Sequence, residues 1–289
     1  MLSKVKKLTL GAGFYPDKLR NIPSPPKVLF YLGDNLEALL DQPAVGVVGS
    51  RRVTPYGRLI TEQLAGELAK QGVVIISGLA LGVDAIAHKA ALDAGGKTIA
   101  VMPCGLDRIY PSTNRQLGLR ILEQGGVLVS EYPEDTDARR ENFIARNRIV
   151  SGLSDGLLIT EAAQKSGTLH TANFALEQGR EVMAVPGNIT SPLSTGTNNL
   201  IKAGAAPITE TKDVLHVLHL ESSAPVQQEL IAASEEEHII LTLLRQGVAE
   251  ANALLIQSKL EPAVFNQTLT MLEITGKVKP AGNGNWVLS

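Results

Sequence analysis

Apolar residues recur along the middle of the chain with two alternating periods. Short runs rich in valine, isoleucine and leucine stand at 44–48 (AVGVV), 73–77 (VVIIS), 98–102 (TIAVM), 127–131 (VLVSE), 156–160 (GLLIT) and 181–185 (EVMAV), with a weaker one at 206–209. Their length and continuity suit strands buried on both faces. Helical spacing fills the gaps, at 56–71, 83–94, 113–124, 141–153, 168–178 and 197–203, and 211–220 reads as a last helix. Behind Pro55, for instance, Leu59, Ile60, Leu64 and Leu68 fall on one face. Strict alternation of strand and helix predicts right-handed crossovers and a parallel sheet covered on both faces. The expected class is α/β, an extended Rossmann-like parallel sheet spanning 43–220. Fewer than eight strand–helix units argue against a closed barrel.

The flanks read differently. Residues 1–42 carry Pro16, Pro23, Pro25 and Pro26 and only short apolar pieces, of which 28–33 (VLFYLG) suits an edge strand. This part is expected to pack on the main domain as an extension. Residues 221–234 form an acidic linker. Beyond it, 235–289 predicts three short helices and a terminal hairpin ending in Trp286-Val-Leu, the outline of a small winged-helix-like domain. In many such domains the third helix reads DNA. Here that helix, from Pro262 to Gly276, has no Lys or Arg. A structural or protein-contact role is expected instead.

Charge sharpens the division. The 289 residues carry a net charge of −2. Residues 1–220 hold 23 Lys+Arg against 21 Asp+Glu, whereas 221–289 hold 4 against 8. A protein coated in positive charge is excluded, and any basic patch is local and N-terminal. The single Cys104 allows no internal disulfide. No run reaches membrane-spanning length, and the start has no signal-peptide pattern. These features predict a cytoplasmic protein without a membrane span.

The loops after successive strands lie along one edge of such a sheet, where open α/β folds bind ligands. In order they read Gly49-Ser50-Arg51-Arg52, Ser77-Gly78-Leu79-Ala80-Leu81-Gly82, Cys104-Gly105-Leu106-Asp107, Lys165-Ser166-Gly167-Thr168 and Pro186-Gly187-Asn188. Glycine lets backbone amides approach a ligand, and Ser and Thr add hydroxyls. Five such loops in register point to a phosphate-bearing ligand, with Arg51 and Arg52 aimed at the anion. A dinucleotide is not supported: GVVGSRR lacks the three-glycine fingerprint, and no acidic residue ends the second strand. No P-loop lysine pattern is present either.

A second stretch, 139–152 (RRENFIARNRIVSG), places Arg139, Phe143 and Arg146 near one helical face, followed by Asn147 and Arg148. Guanidinium groups beside an aromatic ring suit single-stranded nucleic acid, charge for phosphate and ring for base. Core packing of Phe143 and internal pairing of Arg148 are the structural alternatives. Asp84 and His88 are two potential ligands, too few for a metal site; a helix cap and a satisfied polar residue fit better. Tyr110 suits stacking or packing. Glu161 is a candidate carboxylate for catalysis or for holding Arg51 or Arg148. No cofactor, metal or catalytic residue is assigned.

Taken together, GSRRVTPYG, SGLALGVDAIAHKAAL, CGLDRIYPSTNRQL, SEYP, FIARNRIVSGLSDGLLITEA, KSGTLHTA, VPGN and GTNNLIKAGA resemble the DNA-processing protein A family, also called DprA or Smf, in order over about residues 15–205. Where that family usually has Phe-Pro, this chain has Phe143-Ile144. The resemblance implies a non-catalytic protein that binds and protects single-stranded DNA entering during natural transformation and helps load the RecA recombinase. It also implies a homodimer through the sheet domain, for which Leu215, Val217 and Leu218 are candidate contacts. Carried over by position, the DNA pocket involves Ser50, Arg51, Phe143, Arg146, Arg148, Ser166 and Gly167; the neighbouring Gly49, Arg52, Asn147, Lys165 and Thr168 complete the candidate set. The rival class is a Rossmann-like nucleotide-processing hydrolase using Arg51, Arg148 and Glu161, or a nucleotide sensor.

Overall fold

The computed structural model describes residues 4–220 and 234–288 except 276 and 283. The chain divides into two compact units, residues 1–221 and 222–289. The acidic linker read at 221–234 therefore lies, but for Ser234, outside the described residues.

In the first unit the strands are β1 (Lys6–Thr9), β2 (Val28–Leu32), β3 (Ala44–Gly49), β4 (Val74–Ser77), β5 (Thr98–Met102), β6 (Val127–Ser130), β7 (Gly156–Glu161), β8 (Glu181–Ala184) and β9 (Ala206–Pro207). The helices are α1 (Asp17–Arg20), α2 (Leu36–Leu40), α3 (Pro55–Lys70), α4 (Val83–Asp93), α5 (Arg115–Glu123), α6 (Arg140–Leu153), α7 (Thr168–Glu177), α8 (Thr195–Lys202) and α9 (Thr211–Val217). One sheet runs β1-β2-β6-β5-β4-β3-β7-β8-β9. The strands from β3 to β9 are parallel. The chain moves outward from β3 through β4, β5 and β6, then returns to β7 on the other side of β3. That reversal opens a crevice at the carboxyl ends of β3 and β7, the ligand position of doubly wound sheets.

Period-two alternation divides each central strand between two cores. Ala44 and Val48 of β3 pack with Val74, Ile76, Leu157 and Ile159 on the α6–α7 side. Val45 and Val47 pack with Ile75, Leu158, Leu64 and Leu68 on the α3–α4 side. The N-terminal extension does more than pack on this body. β2 pairs antiparallel with β6, and β1 pairs antiparallel with β2, so 28–33 is the second strand from the edge and not the edge itself. The candidate dimer residues are turned largely inward: Leu215 is buried, and Val217 and Leu218 pack against the α3–α4 core.

His88 is buried in α4, and its Nδ1 lies 2.6 Å from the Thr98 hydroxyl. Thr98 donates its own hydrogen to the Ile75 carbonyl, so Nδ1 is the donor and Nε2 carries the lone pair. Burial pushes the imidazole down to about 3, helped by the Arg146 charge. An unfolded histidine takes up its proton near pH 6.5. The stabilising effect of the neutral ring is therefore complete above that pH and is lost as pH falls toward about 3. The slope reaches about 1.4 kcal/mol per pH unit. Urea midpoints measured between about pH 7 and about pH 5 are expected to fall less steeply for His88→Asn than for the parent. Equal slopes would assign the acid sensitivity to other groups.

The second unit contains α10 (Glu235–Arg245), α11 (Ala251–Ser258) and α12 (Pro262–Ile274), then the antiparallel hairpin β10 (Val278–Gly282) and β11 (Asn285–Leu288). Ile240, Leu241, Leu244, Leu254, Phe265, Leu269, Leu272 and Val278 form its core. Three helices and a hairpin appear in the expected order. Val264, Met271 and Ile274 on α12 are exposed.

Candidate functional site

At the end of β3 the chain turns sharply. The Ser50 amide donates to the Glu161 carbonyl on β7 at 2.8 Å, and the Ser50 carbonyl accepts the Val83 amide at 3.1 Å. The Ser50 hydroxyl accepts from the Arg52 amide and donates to the Arg52 carbonyl. Gly82 closes over this turn with φ +80°, and a Cβ there would lie 2.2 Å from the Ser50 carbonyl oxygen, so no other residue fits. The turn is fixed from both neighbouring loops, while Arg51 and Arg52 stay exposed. Among the described residues no carboxylate pairs with Arg51, Arg52 or Lys165.

Glu161 serves a part the sequence did not suggest. Its carboxylate is buried and accepts the Thr54 amide at 3.0 Å and the Thr54 hydroxyl at 2.6 Å. Thr54 in turn caps α3, accepting the Gly57 amide at 3.0 Å. A Cβ on Gly57 would lie 2.8 Å from the same carboxylate. Glu161 thus anchors the helix that begins just after the arginine turn, and holds neither Arg51 nor Arg148.

The amino-terminal half of α6 reaches over the ends of β4 and β5. Phe143, half-buried, meets the Tyr110 ring edge-to-face, with centroids 5.6 Å apart and planes at 68°. The Arg51 guanidinium carbon lies 5.2 Å from the Phe143 ring centroid. Three separate segments thus bring a cation and two rings together: the turn after β3, the loop after β5, and α6. A guanidinium over a ring face is held electrostatically by the ring quadrupole.

Arg146 is not on that surface. It belongs to the buried stripe Asn142, Arg146, Ile149, Leu153 and is 3% exposed. Its Nη1 donates to the Gly78 carbonyl at 2.6 Å and to the Val101 carbonyl. The loop 78–82 is held at both backbone groups of Gly78 and of Ala80 and at the Leu79 carbonyl. Asp84 accepts the Gly78 and Ala80 amides, and Asn114 donates to the Leu79 and Ala80 carbonyls. Asp84 therefore does not cap α4, whose N-cap is Gly82, but holds the preceding loop. Burial pushes the Asp84 carboxyl above the usual range, opposed by the Arg146 guanidinium. Burial likewise lowers Arg146. Leu79, fully buried at φ 54°, shows how tightly this loop is constrained.

Arg148 also points elsewhere. Its guanidinium forms a two-pronged pair with Glu131, one contact at 2.9 Å, and its Nε donates to the Ser24 carbonyl. It ties the extension to the end of β6. Asn147 is half-buried and accepts from the Arg146 Nε at 3.3 Å. Of Arg51, Arg146 and Arg148, Arg51 is exposed at the turn, whereas Arg146 and Arg148 are internal braces. Lys165 is exposed in the loop after β7, and Gly167 has open space on its Cβ side. The Ser166 hydroxyl accepts the Thr168 amide and donates to the Thr168 hydroxyl. Gly49 leaves no room for a side chain against Val83 and Glu161. Glu131 as partner of Arg148 carries no local sequence signal. The position of Arg146 does have one: counting back from Leu153 and Ile149 by helical spacing reaches 146 and 142.

The sequence profile of the family described as DNA recombination-mediator protein A matches residues 6–219. The chain belongs to this family. It is 48% identical over 205 residues to Protein Smf of Escherichia coli, covering 71% of this chain and 54% of that protein. It is 40% identical over 214 residues to DNA processing protein DprA of Bacillus subtilis, covering 74% and 71%. The chain thus spans about half the length of the E. coli relative. The X-ray structure of DNA processing protein A from Streptococcus pneumoniae superposes with a TM-score of 0.69 at 41% identity, covering 74% of this chain and 75% of that one. A structure of DNA processing protein A from Helicobacter pylori, whose subject is its single-stranded DNA binding mode, gives 0.67 at 38% identity over 76% and 99%. The profile match, residues 6–219, lies within the first unit, which holds the site described above.

Proposed function

We propose that this protein binds single-stranded DNA at the β3–β7 crevice and acts as a recombination mediator, protecting the strand and helping to load RecA. The observation that carries the reading is the unpaired Arg51 lying over Phe143, with Tyr110 at its edge. A guanidinium serves the phosphates, and rings serve unstacked bases, which only a single strand presents. Family membership and the H. pylori relative's DNA binding support the same choice. Arg52, Lys165 and the Ser166–Thr168 turn flank the contact.

The protein acts without turnover, as a cytoplasmic homodimer, and the second unit serves a protein contact. No helix among the described residues is long and apolar enough to cross a membrane. Against the hydrolase alternative, both oxygens of Glu161 hold Thr54, and Arg148 holds Glu131. A mobility-shift titration with single- and double-stranded oligonucleotides of equal length tests the reading. Preference for the single strand is expected; equal binding of a mononucleotide and an oligonucleotide would favour the nucleotide-processing class.

A further inference from the structure

An open cleft of about 720 Å³ lies beside the arginine turn, on the β8 side. Its volume is that of a small-molecule site. Thr54, Pro55 and Tyr56 form one wall, and Pro186, Asn188 and Ser194 are on the other. None of the residues lining it is charged. The Tyr56 ring is half exposed and fixed in place, its hydroxyl donating to the Pro186 carbonyl at 2.9 Å. The opposite loop is equally fixed. Asn198 accepts the Gly187 amide at 3.1 Å and donates to the Gly187 carbonyl at 3.0 Å. Asn188 Oδ1 is occupied by Thr190, which leaves the Asn188 amide hydrogens as donors.

The chemistry of this cleft differs from that of the arginine turn. A neutral site with a rigid ring, two prolines and a few amide and hydroxyl groups does not attract phosphate. It suits a flat, neutral heterocycle that stacks on one face and hydrogen-bonds at its edge. Arg51 and Tyr56 are five residues apart, at most about 17 Å along the chain, which a strand crosses in a few nucleotides. We infer that the Tyr56 cleft takes a nucleobase of the same strand whose phosphate Arg51 holds, as a second base site distinct from Phe143 and Tyr110. This inference rests on the single-stranded DNA reading above. The strand then lies across the crevice from α6 toward the β8 loop, anchored by a ring on each side of Arg51.

The test compares an oligothymidine with a strand of equal length whose sugars carry no bases, by fluorescence anisotropy. Tyr56→Ala is expected to weaken the oligothymidine about tenfold and leave the baseless strand unchanged, with the same salt dependence as the parent. Tyr56→Phe keeps the ring and is expected to keep most of the affinity. Equal weakening of both strands by Tyr56→Ala, or of neither, would overturn the inference. So would a lower sedimentation coefficient of Tyr56→Ala without DNA, which would assign Tyr56 and the exposed Leu59 and Ile189 to a contact between copies. Failure of the parent protein to bind either strand would instead remove the DNA reading itself.

Discussion

Arg146→Ala is expected to lower the unfolding free energy by about 3–5 kcal/mol, the range for removing one partner of a buried charged network. The guanidinium is inside the protein and satisfies the Gly78 and Val101 carbonyls. Alanine leaves those carbonyls without that donor, and leaves Asp84 buried without the cation that opposes its desolvation. Gly78 adapts poorly, because its backbone is shaped around the guanidinium: a Cβ there would lie 2.2 Å from Arg146 Nη1. Lysine at 146 restores a charge but not two donors at that spacing, so it recovers part of the loss. Pairing Arg146→Ala with Asp84→Asn is expected to lose less than the sum of the single changes, since a neutral side chain at 84 has no charge to compensate. Urea unfolding of the four proteins measures this. A loss under about 1 kcal/mol for Arg146→Ala would mean the network is not the brace described here.

Phe143→Ala acts on a different quantity. The ring is half-buried and supports Arg51 on its face and Tyr110 at its edge. Stacking of one base on an aromatic ring is worth about 1–3 kcal/mol. The expected outcome is single-stranded DNA binding weaker by about that amount, with the salt dependence unchanged because no charge is removed. Stability is expected to fall little, since the ring lies outside the central cores. A large drop in melting temperature with affinity preserved would make Phe143 a packing residue.

The contrast between these two residues shows what the sequence displays and what it conceals. Doubly buried strands such as β3, β4 and β7 are written as continuous apolar runs, so their positions are legible to within a residue or two. β1 is not, because it is an exposed edge strand with the sequence KKLT, and charged edges hide their own periodicity. The order of strands is tertiary information, so the crevice between β3 and β7 is visible only in the folded sheet. Arg51 is legible because strand, turn and helix are contiguous. Arg146 and Arg148 lie two apart in the same helix, yet one faces the core and the other faces Glu131, which is distant in sequence. Charge alone suggested phosphate for both. Their burial and partners decide otherwise. Glu161 was legible as an important carboxylate, but its attachment to Thr54 comes from the pairing of β3 with β7.

The most direct measurement of the central claim is the affinity of Arg51→Ala for a single-stranded oligonucleotide across a range of salt concentrations. If Arg51 neutralises a phosphate, the plot of log affinity against log salt flattens by about 0.7 relative to the parent, the single-strand value per phosphate. Binding weakens equally for all base sequences, and Arg51→Lys recovers only part of it. An Arg51→Ala protein that is folded and keeps both the parent's affinity and its salt slope would contradict the account.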